Sequence, residues 1–168
     1  MKTKHLLLAA SLYALIATSA QAQNYYVGEY DATTGAIIAG FTSPSGLFNP
    51  RNLAVSGNNL YVSDTVNNTV SAYNATTGAT IASFTTVSGL YRPFGLAVSG
   101  NNLYVANYNG TVGEYDATTG AVINANLITG LTEPWNLGIS GNNLYVSNCC
   151  ASTRCPQYWG VLRMEARS

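Results

Sequence analysis

The sequence predicts an all-β protein built from β-propeller-type blades of four antiparallel strands, with about three blades' worth of chain. Two observations predict it. The first is a repeat. Val27-Gly28-Glu29-Tyr30-Asp31-Ala32-Thr33-Thr34-Gly35-Ala36 returns as Val70-Ser71-Ala72-Tyr73-Asn74-Ala75-Thr76-Thr77-Gly78-Ala79, and again as Val112-Gly113-Glu114-Tyr115-Asp116-Ala117-Thr118-Thr119-Gly120-Ala121, at spacings of 43 and 42 residues. A strand-rich period of this length marks a propeller blade. The second is the pattern inside each repeat, where short apolar runs alternate with Gly, Asn and Thr turns. One such sheet cannot bury both faces, so it must stack against neighbours.

The chain begins with a targeting pattern. Lys2 and Lys4 precede an apolar run over residues 6–17, and Ala20-Gln21-Ala22 is a small-x-small cleavage site. Residues 1–22 are therefore expected to be a signal peptide cut after Ala22, giving a secreted or periplasmic product. The apolar run is short for a bilayer span, and no later stretch is long enough, so no membrane insertion is expected after signal removal. Residues 23–148 hold the repeats, as units 27–69, 70–111 and 112–148. Residues 149–168 form a tail outside the pattern, with all three cysteines.

Within the middle repeat, residues 53–56 and 60–63 read as two strands, and Gly57-Asn58-Asn59 between them fits a tight hairpin. Residues 69–73 are a third strand, residues 74–78 a turn, and residues 79–84 a fourth strand. The phase is uneven. Residues 25–41 supply only third and fourth strands, residues 53–85 and 96–128 two whole blades, and residues 137–148 only first and second strands. Closed propellers need about four blades or more. Either the chain is a truncated relative of a longer propeller, or two copies form a homodimer that completes six blades.

Cleavage also removes Lys2, Lys4 and the sole histidine, His5. Arg51, Arg92, Arg154, Arg163 and Arg167 then face seven acids (Glu29, Asp31, Asp64, Glu114, Asp116, Glu133 and Glu165), leaving a formal charge of −2. A lysine-free, near-neutral surface excludes nucleic acid as a partner, because that affinity rests on neutralising many phosphates. Loss of His5 excludes a Ser-His-Asp triad and a histidine-held metal. Glu29 and Glu114 occupy equivalent repeat positions and are expected to be separate and solvated rather than a catalytic pair.

Pro93-Phe94-Gly95-Leu96-Ala97-Val98, Asn102-Leu103-Tyr104-Val105-Ala106-Asn107 and Thr111-Val112 to Tyr115-Asp116 together resemble the NHL repeat. More broadly the chain is similar to six-bladed propellers of the gluconolactonase (SMP-30-like) and YncE-like kind. The resemblance implies a propeller blade but says little of activity, since these repeats host many functions. In the gluconolactonase-like branch it implies a divalent cation such as calcium held by acidic and amide groups. Asp64, Asn107 and Asn148, at equivalent positions, would supply them.

Comparing the repeats with one another separates scaffold from site. The hairpin Ser-Gly-Asn-Asn (56–59, 99–102, 140–143) and the turn Ala-Thr-Thr-Gly-Ala (32–36, 75–79, 117–121) do not change, and should share one structural end. The other end carries the loops that vary, and loops on a rigid scaffold carry binding groups. Arg51, Asn52, Arg92, Phe94, Trp135 and Asn136 are the candidate ligand contacts, near the axis. The blander alternative is that Phe94 and Trp135 pack between blades while Asp64 and Asn107 cap the following turn. Among Cys149, Cys150 and Cys155, a disulfide from either of the first two to Cys155 would staple the tail and leave one thiol over.

The function expected is a non-enzymatic module that binds a small polar ligand, a glycan or a protein, with no cofactor. The alternatives are a metal-assisted hydrolase of the gluconolactonase-like kind and a structural matrix or adhesion component.

Overall fold

The computed structural model describes residues 25–149 and the backbone of residues 160–165. The signal-peptide expectation lies outside the described residues. Every regular element among them is a strand: β1 (Pro50–Ser56), β2 (Asn59–Asp64), β3 (Thr69–Asn74), β4 (Pro93–Ser99), β5 (Asn102–Asn107), β6 (Thr111–Asp116), β7 (Val122–Ile128), β8 (Pro134–Ser140), β9 (Asn143–Asn148) and β10 (Gly160–Glu165). All pairings are antiparallel. They form the sheets β1-β2-β3, β4-β5-β6-β7 and β8-β9-β10. The all-β architecture of about three antiparallel blades read from the period is the one observed.

Each first strand turns into the second through a two-residue loop. Gly57, Gly100 and Gly141 carry the left-handed backbone there, with φ of 57, 54 and 56°. Glycine adopts that region without the steric penalty of a Cβ. The two invariant turns meet at one end, as expected. Ala75 N donates to Asn58 O (2.8 Å) and Ala117 N to Asn101 O (2.8 Å). Asp31 and Asp116 each cap their own turn by accepting from the two threonine N–H groups that follow. Those bonds, led by the ones from Thr34 and Thr119, hold both carboxyls below their ordinary value.

The fourth strands differ from expectation. Only the middle sheet has a regular one, β7. In the first sheet the expected strand 79–84 is replaced by a segment, residues 79–87, that touches β3 through isolated bridges, Tyr73 to Thr80 and Val70 to Val87. Between them Phe84 N donates to Ile81 O (3.1 Å). This turn drives the Phe84 ring inward to meet Tyr61 edge-on at 5.8 Å. Burial of an aromatic ring outweighs a regular ladder on the outer strand. Residues 25–41 keep the equivalent bridge, Tyr30 to Ile37, and no regular strand. At the other end, β10 takes the third-strand place beside β9, where no strand was expected.

Alternation along the central strands builds the core. Leu60 and Val62 point to residues 25–41 and pack with Val27 and Tyr73. Tyr61, on the opposite face, packs with Leu96, Leu103, Val105 and Tyr115 of the next blade. A third cluster joins Ala106, Val112 and Ile128 to Leu137, Leu144 and Val146. Successive residues of a strand face opposite sides, so each central strand feeds two interfaces. Tyr61 also donates its hydroxyl to Ala117 O of the next blade at 2.7 Å.

Candidate functional site

The first strands β1, β4 and β8 lie side by side, with β4 between the other two. Each opens with a proline, which costs no ladder bond at the first position of a strand. Just after it the register slips by one residue: between Pro50 and Asn52, between Pro93 and Leu96, and between Pro134 and Asn136. A bulge of this kind re-aims the side chain at the extra residue. Arg51, Phe94 and Trp135 sit at that place in their respective blades.

The repeated bulge sets the three side chains in one row. The Arg51 guanidinium lies 5.4 Å from the Phe94 ring centroid. The Phe94 and Trp135 rings are 4.8 Å apart. Arg92 reaches the same ring at 5.9 Å and the Tyr108 ring at 4.8 Å. Tyr108 in turn donates to Glu133 Oε1 at 2.7 Å, which raises its pKa above the ordinary phenol value. Phe94 is buried at the centre, while Trp135 remains 42% exposed and both arginines are exposed. Each cation over an aromatic face contributes about 0.5–1 kcal/mol at such a surface.

Asn52 and Asn136 also meet. Asn52 Nδ2 donates to Asn136 Oδ1 at 3.1 Å, joining the first and third blades across the second. The intervening Gly95 makes this approach feasible. A Cβ there would stand 2.7 Å from Asn136 Cα and 2.8 Å from Trp135 O. The six candidate contacts thus converge on one cluster. Tyr108 and Glu133 belong to it and were not among them. Their signal was available: Tyr108 takes the place of Thr65 and Cys149 in the other repeats, immediately after Asn107, and varies each time. The loops entering β4 and β8 are held tightly, with Arg92 and Glu133 at φ of 46 and 50°, uncommon values for residues other than glycine.

Asp64, Asn107 and Asn148 each hold a loop in place. Asp64 accepts from the N–H groups of Phe48, Asn49, Val66 and Asn67 and from Asn67 Nδ2. Asn107 Oδ1 accepts from Tyr91 N, and Asn148 Oδ1 from Thr132 N at 2.8 Å. Each therefore ties the loop entering its own blade, and Asp64 also caps the turn after β2. Five N–H hydrogens thus meet the Asp64 carboxylate from within the chain. No group of three or more His, Cys, Asp or Glu among the described residues is placed to hold a metal. Cys149 closes its loop through its N–H to Thr132 O at 2.9 Å. Cys150 and Cys155, and with them the expected disulfide, lie outside the described residues. Glu29, expected to be solvated, has its Oε2 buried without a hydrogen-bond partner.

The family model PQQ_2, described as outer membrane protein assembly factor BamB, matches residues 23–123 and again residues 67–146. The chain belongs to the PQQ_2 family. The two matches overlap over residues 67–123. Among solved structures, this PQQ_2 chain is similar to the computationally designed Ika8 protein, at 18% identity and a TM-score of 0.57 over 73% of this chain and 37% of that one. It is also similar to BamB from Moraxella catarrhalis, at 22% identity and a TM-score of 0.55 over 73% and 34%. At these identities the likeness shows the fold. The chain spans about a third of the length of these two structures. No curated protein matches the sequence at a significant level. The β-propeller class of the blades is established by this membership.

Proposed function

We propose that this PQQ_2 chain is an exported, non-enzymatic binding module that grips a protein partner with the cluster at the inner ends of β1, β4 and β8. The observation that carries the reading is the bulge row Arg51–Phe94–Trp135, flanked by Arg92 and Tyr108. Tryptophan, tyrosine and arginine dominate the energetics of protein interfaces. Here a buried ring supports an exposed one, and two guanidinium groups stand beside them. This suits a partner that offers an acidic residue next to an apolar anchor. The family's description as an outer membrane protein assembly factor supports a protein partner and a periplasmic site of action. The signal pattern of residues 1–22 supports export. Within this reading the NHL-like pattern supports the propeller scaffold, and the bonds already made by Asp64 support a metal-free module.

The test is site-specific photo-crosslinking in cells. A benzophenone amino acid at position 135 is expected to give a discrete adduct with another envelope protein, identified by mass spectrometry. Arg51→Ala with Arg92→Ala should weaken that adduct about tenfold or more, in line with losing two interface arginines. The same probe at Thr77, on the invariant turn end, should give none. Absence of adduct at 135, or the same adduct from Thr77, would overturn the reading.

A further inference from the structure

The two ends of the blade stack are complementary. Residues 26–31 repeat the third strand of a blade; their Val-Gly-Glu-Tyr-Asp is identical to residues 112–116 of β6. They make the same onward bridge, Tyr30 to Ile37, that Tyr73 makes to Thr80. Yet among the described residues no first or second strand lies beside them, and β1 is left uncovered on that side. Leu53 is 48% exposed, whereas its counterparts Leu96 and Leu137 are 3% and 8% exposed. Tyr30 is 52% exposed, against 3% for Tyr115. A cleft lined by Tyr26, Val27, Gly28, Pro50, Arg51 and Leu53 marks the gap. At the other end, β8 and β9 are a first and second strand whose third place is filled by β10. Of the Val-Gly-Glu-Tyr-Asp pattern, Gly160–Glu165 retains in register only Val161.

We propose that copies of this chain join head to tail, residues 26–31 of one copy entering beside β9 of the next as its third strand in place of β10. This rests on the blade repeats and not on the axial cluster. The occupant is a second copy because a first and second strand, the pair that residues 26–31 do not meet among the described residues, are what β8 and β9 present. The pairing of β2 with β3, and of β5 with β6, fixes the register: Tyr145 opposite Glu29, Val146 opposite Gly28, Asn143 opposite Asp31. Contacts used between blades within the chain then recur between copies. Tyr104 stands where Tyr61 does, so its hydroxyl takes Ala32 O of the second copy as Tyr61 takes Ala117 O. Ser147 repeats Ser63, which donates to Phe94 O, and so reaches Arg51 O of the second copy. The turns at Gly78 and Gly120 press on Thr42 O and Thr85 O of a neighbouring segment, while Gly35 has nothing within 4 Å and is open to the same contact. Added strands gain their main-chain bonds in this way without new chemistry. A head-to-tail joint closes into a ring or grows into an array, according to the angle per copy.

The exported full chain should show concentration-dependent assembly by sedimentation and native mass spectrometry, as a discrete ring or a growing series. Gly28→Pro removes an N–H from the open edge and should raise the midpoint concentration about tenfold or more, with the β-sheet circular dichroism unchanged. Register is read by mixing two variants in which Cys149, Cys150 and Cys155 are replaced by serine. Glu29→Cys with Tyr145→Cys should form an intermolecular disulfide, and Gly28→Cys with Tyr145→Cys, on opposite faces, should not. A strictly monomeric chain, or assembly indifferent to Gly28→Pro and lacking the Glu29–Tyr145 cross-link, would overturn the proposal.

Discussion

Asp64 shows how one side chain can organise two loops at once, the one entering β1 and the one leaving β2. Its carboxylate takes five donors, four of them backbone N–H groups. Removing it leaves those groups unpaired in a buried place, at about 1–3 kcal/mol for each one that water cannot reach. Asp64→Ala should therefore destabilise the fold by about 2–4 kcal/mol in urea denaturation. Asp64→Asn should lose less, because asparagine serves the same position in the other two blades. Calcium should leave the Tm of the wild-type chain unchanged. The role of Asp64 was half legible in the sequence. A turn cap after the strand follows from residue type and spacing, but its second partner, sixteen residues upstream, depends on how the entering loop folds back. The same holds for Tyr108, whose meeting with Arg92 and Glu133 joins three separate loops.

At the scale of elements, the glycine turns separate local conformation from contact between blades. Gly35, Gly78 and Gly120 all have φ between 72 and 76°, where any other residue pays a backbone cost of about 1 kcal/mol. Only the last two also meet a neighbouring carbonyl, at 1.7 and 2.0 Å from a notional Cβ. Gly120→Ala should thus cost markedly more than Gly35→Ala, by roughly 1–3 kcal/mol of overpacking in the chain at low concentration. Thermal melts of the two variants check this. The strands themselves were read correctly where hairpin chemistry fixes both ends, as for β2 and β5. The fourth strand of the first blade was not, because Phe84 answers to Tyr61, two strands away on the face turned to the next blade, rather than to its own neighbours. The bulges at Arg51, Phe94 and Trp135 were invisible for a similar reason: a slip of register is defined only against the paired strand.

For the whole molecule, each apolar layer lies between two sheets, so burial rises from the ends of the stack to its middle. Leu103, Val105 and Val112 have no exposed surface, while the terminal segment holds Tyr26, Tyr30 and Ile37 largely in water. Hydrogen exchange should follow that gradient, slowest in β5 and fastest over residues 26–38, when measured at concentrations where copies stay apart. Uniform protection along the chain would contradict a stack of blades. The period alone conveyed this layered plan, because repeats that cannot bury both faces must lean on one another.

The clasp between Asn52 and Asn136 has a consequence for how such a chain changes over time. Tandem units invite unequal duplication, and a protein made of near-copies would otherwise lengthen or shorten freely. Here two outer units hold hands over the middle one, at a point where Gly95 leaves no room to spare. Inserting or deleting a unit between them would part the two amides, so this handshake fits one intervening unit and no other number.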